Sequence, residues 1–309
     1  MAIAATTPTF PPTTAPVLSP LARGIALGLV SVAIWGSYLA MARAGVNAGL
    51  APIDVTFMRY ATAGLILLPV FVRGGVASAA GVGWGRAILL ALLVGPPFIL
   101  IGVSGYLFAP LAHGAAIQPA ALTLGATFFA VWLAGERMRR GQVLGLVAML
   151  VGIGAIAGPG AFSGDIATLP GDALFVLAGL MWAGFGALAK RWGLAPLQAT
   201  AAVSVVSAAV FAPIYLVFFG IERLAPFALD FLAAQFVVQG VLSGVVAVVA
   251  YTQAVRLLGP GKAGLFPALV PGVAVLIGIP VAGEIPSLGQ AAGIALAMLG
   301  LLASVFAKK

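Results

Sequence analysis

Cysteine is absent from this chain of 309 residues, and histidine occurs once, at His113. Disulfides and thiolate metal sites are therefore excluded. Charge is nearly as scarce. Asp, Glu, Lys and Arg make up 7% of the residues, against roughly a quarter in soluble domains, and 62% are hydrophobic. No carboxylate stands in the middle of an apolar run, so the acid that binds organic cations or relays protons inside a membrane is missing. The chain also lacks an HExxH pair and a phosphate-cradling P-loop, which argues against metalloprotease chemistry and direct nucleotide coupling. No cofactor and no metal is expected. Gly102-Val103-Ser104-Gly105 spells the GxSG of an intramembrane serine protease, but His113 is nine residues on and half a turn out of phase, with no other base to hand.

What the chain has instead is apolar length. Runs of about 20 residues recur, each able to cross a hydrocarbon core of about 30 Å. Continuous apolar runs exclude the alternating pattern of a membrane barrel, so the spans are helices. Ten are expected: 24–42, 52–71, 87–110, a fourth from just after His113 to 134, 142–157, 172–189, 196–219, 231–255, 263–282 and 288–306. The fold class predicted is an all-α polytopic membrane protein. Residues 1–20 end in TTPTFPPTTAPVLSP, too proline-rich to be helical and without the basic start of a signal peptide, so a disordered flank is expected there.

The spans form two copies of one unit. An offset of 148 residues lays Pro119 on Pro267, Gly135-Glu136 on Gly283-Glu284, Gly141-Gln142 on Gly289-Gln290 and Gly145 on Gly293. At an offset of 147, Gly24, Trp35, Tyr38 and Arg43 fall on Gly171, Trp182, Phe185 and Lys190. The units are expected at 21–160 and 161–309, five spans each. An odd number of spans turns the second copy upside down, the plan of many secondary transporters.

The net charge of +8 does not mark a nucleic-acid binder here, because the basic residues lie at span ends. Twelve fall on the side of the termini: Arg23, Arg73, Arg86, Arg137, Arg139, Arg140, Lys190, Arg191, Arg256, Lys262, Lys308 and Lys309. Only Arg43 and Arg223 fall opposite, with six of the seven carboxylates, so the positive-inside rule predicts cytoplasmic termini.

Trp35-Gly36, Arg43, Pro52 and Arg59 in the first unit, with Pro119, Gly135-Glu136 and a Gly-rich fifth span, resemble the EamA-type branch of the drug/metabolite transporter superfamily. The second unit keeps Trp182, Lys190, Pro196, Pro267 and Gly283-Glu284, and departs at Ala183 and Val203. Within that superfamily the chain is most similar to YddG-like exporters of aromatic and other amino acids. The resemblance implies a ten-helix basket in the inner membrane that alternates between inward- and outward-open states. Its third, fourth, eighth and ninth helices would line a central cavity.

Several residues are candidates for that cavity. Gln235, Gln239, Ser243 and Gln253 fall at roughly 0°, 40°, 80° and 0° on an α-helix, one narrow polar face of an apolar span. Such a face either glues helices together or lines a wet cavity. Trp35 and Tyr38, echoed by Trp182 and Phe185, either pack the repeats or wall the cavity. Tyr106, Gln118, Tyr251 and Phe266 lie in the helices that the resemblance assigns to the cavity. Pro119, Pro267 and Pro271 are expected inside helices as hinges. Arg59 lies about 10 Å along its span and must be paired or wet; Asp54, roughly 140° round the helix, is a poor partner, so a structural pairing with carbonyls of neighbouring helices is expected, with a substrate carboxylate as the alternative. Arg43 and Lys190 read as snorkelling anchors, and Arg223, in a loop, as dispensable. The expected function is export of small amphipathic metabolites, foremost amino acids, with the bilayer and the substrate as partners, monomeric or otherwise. The alternatives are a multidrug or nucleotide-precursor carrier and, from another class, an intramembrane enzyme or a scaffold.

Overall fold

A computed structural model describes residues 19–135, 138–163 and 167–306, all helix, turn and loop with no strand among them. The expected flank lies almost wholly outside the described residues; its end, Ser19 and Pro20, starts a helix. The Ser19 hydroxyl accepts the Ala22 N–H at 3.2 Å, and Pro20 takes the first turn, where a missing N–H costs nothing. From there α1 (Pro20–Asn47) leads through a tight turn to α2 (Pro52–Arg73), again opened by a proline. The Asp54 carboxylate caps α2 by accepting the Ala51 N–H at 2.8 Å.

The third span differs from expectation. It divides into α3 (Trp84–Val94) and α4 (Pro96–Gly105), because Gly95-Pro96-Pro97 cannot continue the ladder of backbone bonds. The Val94 carbonyl, deprived of its helical partner, accepts the Tyr60 hydroxyl at 2.6 Å instead. The first copy closes with α5 (Leu111–Ala134) and α6 (Arg140–Ser163). His113, expected to mark a turn, sits in the first turn of α5.

The second copy runs α7 (Leu169–Arg191), α8 (Pro196–Phe218), α9 (Leu229–Gln235), a π-helical stretch Phe236–Val246, α10 (Ala247–Leu258), α11 (Pro260–Ala263), a 3₁₀ turn Phe266–Leu269, α12 (Val270–Ala282) and α13 (Leu288–Phe306). Here Pro267 and Pro271 are not inside a helix, contrary to expectation. Pro267 opens the 3₁₀ turn and Pro271 opens α12, the positions where proline's missing N–H is harmless. Pro119 does lie inside continuous α5. The repeated glycine before glutamate has a conformational cause: Gly135 and Gly283 end α5 and α12 at φ 63° and 69°, the left-handed cap that side chains resist.

Among the described residues nine helices are long and apolar enough to cross a membrane, and α6 adds the shorter apolar stretch Arg140–Ile156. Large apolar side chains such as Leu65, Leu144, Val217 and Leu288 stay exposed, which suits contact with lipid rather than water. The packing exchanges under a swap of the copies. The α5–α7 contact corresponds to α12–α1, and α2 against the π stretch corresponds to α8 against α3. Equivalent helices pack antiparallel: Asp54 of α2 meets Tyr215 of α8 while Gly64 meets Ser204.

The tightest seam joins α6 and α13. A Cβ on Gly145 would lie 2.6 Å from the Gly300 carbonyl, and one on Gly152 2.6 Å from the Gly293 carbonyl. The helices thus touch backbone to backbone, as small residues allow in lipid. Gly152→Val is expected to destabilise by about 1–3 kcal/mol, read as a lowered Tm in detergent. Gly154→Ala, with nothing within 4 Å, should change little.

Candidate functional site

The two irregular spans deform at matching places. Adding the repeat offset of 147 to Gly95 and Pro96 gives 242 and 243, inside the π stretch. Wide i→i+5 turns are uncommon and gather at functional places. They also advance less than about 100° per residue, so the row Gln235, Gln239, Ser243 runs straighter than an α-helix would make it and everything beyond is rotated. That is the physical reason Gln253 leaves the face. It is exposed on α10, whereas Gln235 and Gln239 are 0% and Ser243 2% accessible.

The row faces α1 and α2. Gln235 Nε2 donates to the Met41 carbonyl at 2.8 Å; Gln239 Nε2 donates to the Tyr38 carbonyl and to Gln235 Oε1, both at 3.4 Å. Ser243 Oγ accepts Arg59 Nη1 at 2.8 Å, and the same nitrogen donates to the Gln239 carbonyl at 3.3 Å. Arg59, 8% accessible, also lies 5.0 Å from the Tyr38 ring centre and 6.0 Å from that of Tyr60. Adjacent residues of α2 therefore hold both irregular places, Tyr60 at Val94 and Arg59 at the π stretch. Gly240 and Gly244 let α2 come this close: a Cβ at Gly244 would sit 2.9 Å from that of Ala63. One acceptor in the node is left over. Gln239 Oε1 is buried and makes no hydrogen bond.

Other candidates lie around this node rather than in it. Trp35 rests on Tyr251, ring centres 5.2 Å apart, and Trp182 on Phe98 at 5.1 Å, each pair joining one copy to the other. Phe266 packs over Gly28 of α1. Gln118 is half-buried, its Oε1 3.9 Å from where a Gly102 Cβ would stand. Tyr106 is buried against Phe175, ring centres 4.9 Å apart, with its hydroxyl unpartnered. The aromatic residues expected as two walls of one cavity are thus distributed between two pairings.

Among the described residues, two ion pairs and one histidine–carboxylate hydrogen bond sit near the helix ends away from the termini, and the sequence did not show any of them. Arg43, expected as an anchor, bonds through Nε to Glu284 and through Nη1 to the Tyr106 carbonyl. Glu284 also accepts the Leu111 N–H at 2.7 Å and the Asn47 amide at 3.4 Å. His113 Nδ1 meets Asp172 at 2.8 Å. Arg223, expected to be dispensable, grips the buried Asp54 with two hydrogen bonds of 3.0 and 3.2 Å, and this carboxylate raises the guanidinium's pKa further. Tyr215 donates to the same carboxylate at 2.7 Å. Each pair joins residues 59 to 241 positions apart, a separation at which no periodicity speaks.

A family model described as EamA-like transporter family matches residues 22–158 and again 169–306. No curated protein matches. One solved structure, described only as "Crystal structure of protein", superposes with a TM-score of 0.62 over 94% of this chain and 100% of its own at 18% identity, which shows a shared fold.

Proposed function

This chain belongs to the EamA-like transporter family, and from that premise we propose that it exports amino acids, aromatic ones included, across the inner membrane by alternating access. In this reading α6 also crosses, giving ten spans in two inverted sets of five. The antiparallel packing of equivalent helices supports the inversion, and the basic residues at one set of ends support cytoplasmic termini.

The observation that carries the reading is the buried row Gln235, Gln239 and Ser243 where a π stretch meets α1 and α2. Uncharged amides and a hydroxyl can meet both a carboxylate and an ammonium, and discontinuous helices near the midplane are where transporters bind their substrates. Trp35 with Tyr251, and Trp182 with Phe98, supply apolar surface for a substrate side chain. Tyr106, Gln118 and Phe266 line the route. Pro119 and the broken stretch at Pro267 and Pro271 are the places where the fourth and ninth spans bend.

The test is flux into liposomes carrying the purified protein. Labelled amino acids, an organic cation and a nucleotide precursor are compared, with and without a proton gradient. Amino-acid flux is expected, and flux of the cation or nucleotide alone would overturn the reading. Gln239→Ala should weaken the apparent affinity several-fold, since one neutral hydrogen bond contributes about 0.5–1.5 kcal/mol.

A further inference from the structure

Arg59 is a permanently charged group buried between membrane helices, and no carboxylate lies within salt-bridge distance among the described residues. Asp54 is taken by Arg223 and Glu284 by Arg43, while Asp172 is hydrogen-bonded to His113. A cation at such depth is costly, and its persistence marks a functional place. Its bonding is lopsided. Its two close hydrogen bonds leave from Nη1, to Ser243 Oγ and the Gln239 carbonyl, and anchor it to the π stretch, with the Tyr60 hydroxyl a weaker neighbour of the guanidinium. No close hydrogen bond leaves from the Nε–Nη2 edge. That edge is the fork whose two parallel N–H groups match a carboxylate. Neither nitrogen is among the sealed, unpartnered polar atoms, so the edge keeps part of the 8% of surface that Arg59 retains.

Beside it stands the complementary deficit. Gln239 Oε1 is a buried acceptor without a donor, and the Nε2 of the same side chain is held by the carbonyl of Tyr38, the residue whose ring carries the guanidinium. The guanidinium that donates to the Gln239 carbonyl and the unpartnered Gln239 Oε1 thus belong to one helix crossing. A cation cannot serve the fork, and a lone anion cannot serve the acceptor.

We propose that Arg59 is the carboxylate subsite and Gln239 Oε1 the ammonium subsite of the transport site, so that the substrate must be an α-amino acid with both groups free. This rests on the amino-acid reading above and assigns its specificity to named atoms. Tyr38 and Tyr60 flank the guanidinium and hold it in plane, while Ser243 keeps Nη1 occupied so that the other edge is presented.

The experiment uses the full chain in liposomes with labelled phenylalanine and unlabelled competitors: phenylalanine, its amide, its methyl ester, phenethylamine and 3-phenylpropionate. Only phenylalanine is expected to compete strongly. The amide, the ester and the amine, which lack the carboxylate, and the propionate, which lacks the ammonium, should each need at least tenfold higher concentration. Arg59→Gln should raise the apparent KM about 10- to 100-fold, the loss of charge-assisted hydrogen bonds, with Arg59→Lys between it and the parent. Equal competition by the amide and ester, or an unchanged KM in a folded Arg59→Gln, would overturn the assignment and leave amino-acid transport standing. Absence of phenylalanine flux in the parent would instead overturn the transport reading itself. If Arg59→Gln fails to fold, the competitor series on the parent decides alone.

Discussion

Asp54→Ala should lower stability by about 2–4 kcal/mol, the largest effect expected of any single change at the rim of the bundle. The carboxylate is 1% accessible and accepts from Tyr215 Oη, Arg223 and the Ala51 N–H. Its removal strands the Tyr215 hydroxyl and a backbone N–H, each costing about 1–3 kcal/mol when left unpaired. Arg223 adds little to that sum, because its side chain is 40% accessible and returns to water. Asp54→Asn, which keeps an acceptor for Tyr215, should recover part of the loss. Thermal unfolding of the detergent-solubilised protein reads both, and parental midpoints would refute the structural role given to this carboxylate.

The second large effect is on conformation rather than folding. Glu284 gathers Arg43 of α1, the Leu111 N–H of α5 and the Asn47 amide, and Arg43 in turn holds the Tyr106 carbonyl after α4. Four elements are clasped at one end of the bundle. Glu284→Ala removes the clasp and should favour opening at that end by about tenfold, the equivalent of losing one charge-assisted bond of about 1.5 kcal/mol. Val275, buried beneath Glu284 in a small pocket with Leu111 and Gln290, reports the change. A single cysteine at 275 should react about tenfold faster with a membrane-impermeant reagent when Glu284 is alanine. Equal rates would mean that the clasp does not gate.

Much of the architecture could be read from the chain because lipid imposes a simple rule: spans are long apolar runs, and the two copies repeat at offsets of 147 and 148 residues. The Gly-Glu pairs were legible for the same reason, and their glycines prove to be left-handed caps. The broken third span had a signal in Gly95-Pro96-Pro97 that hydropathy alone passes over, since proline and glycine do not interrupt an apolar average. The π stretch had none. Its sequence, FVVQGVLSGVV, is compatible with an ordinary α-helix, and the wide turns follow from how Arg59 and the glycines of this stretch meet α2. For that reason the spacing predicted the shared buried face of Gln235, Gln239 and Ser243, while Gln253, predicted on the same face, is exposed. The pairings Arg43–Glu284, Arg223–Asp54 and His113–Asp172 are tertiary throughout and left no local mark.

The central claim is that the node joining α1, α2 and the π stretch is where substrate is met, opened to one side of the membrane at a time. A thiol at Ser243 tests it most directly, since the parent contains no cysteine to confuse the signal. In liposomes, Ser243→Cys should react with a small impermeant thiol reagent from one side, gain access from the other when Glu284→Ala is added, and be protected by saturating phenylalanine. A thiol that stays unreactive from both sides under every condition, or reacts at the same rate with phenylalanine present, would contradict the account.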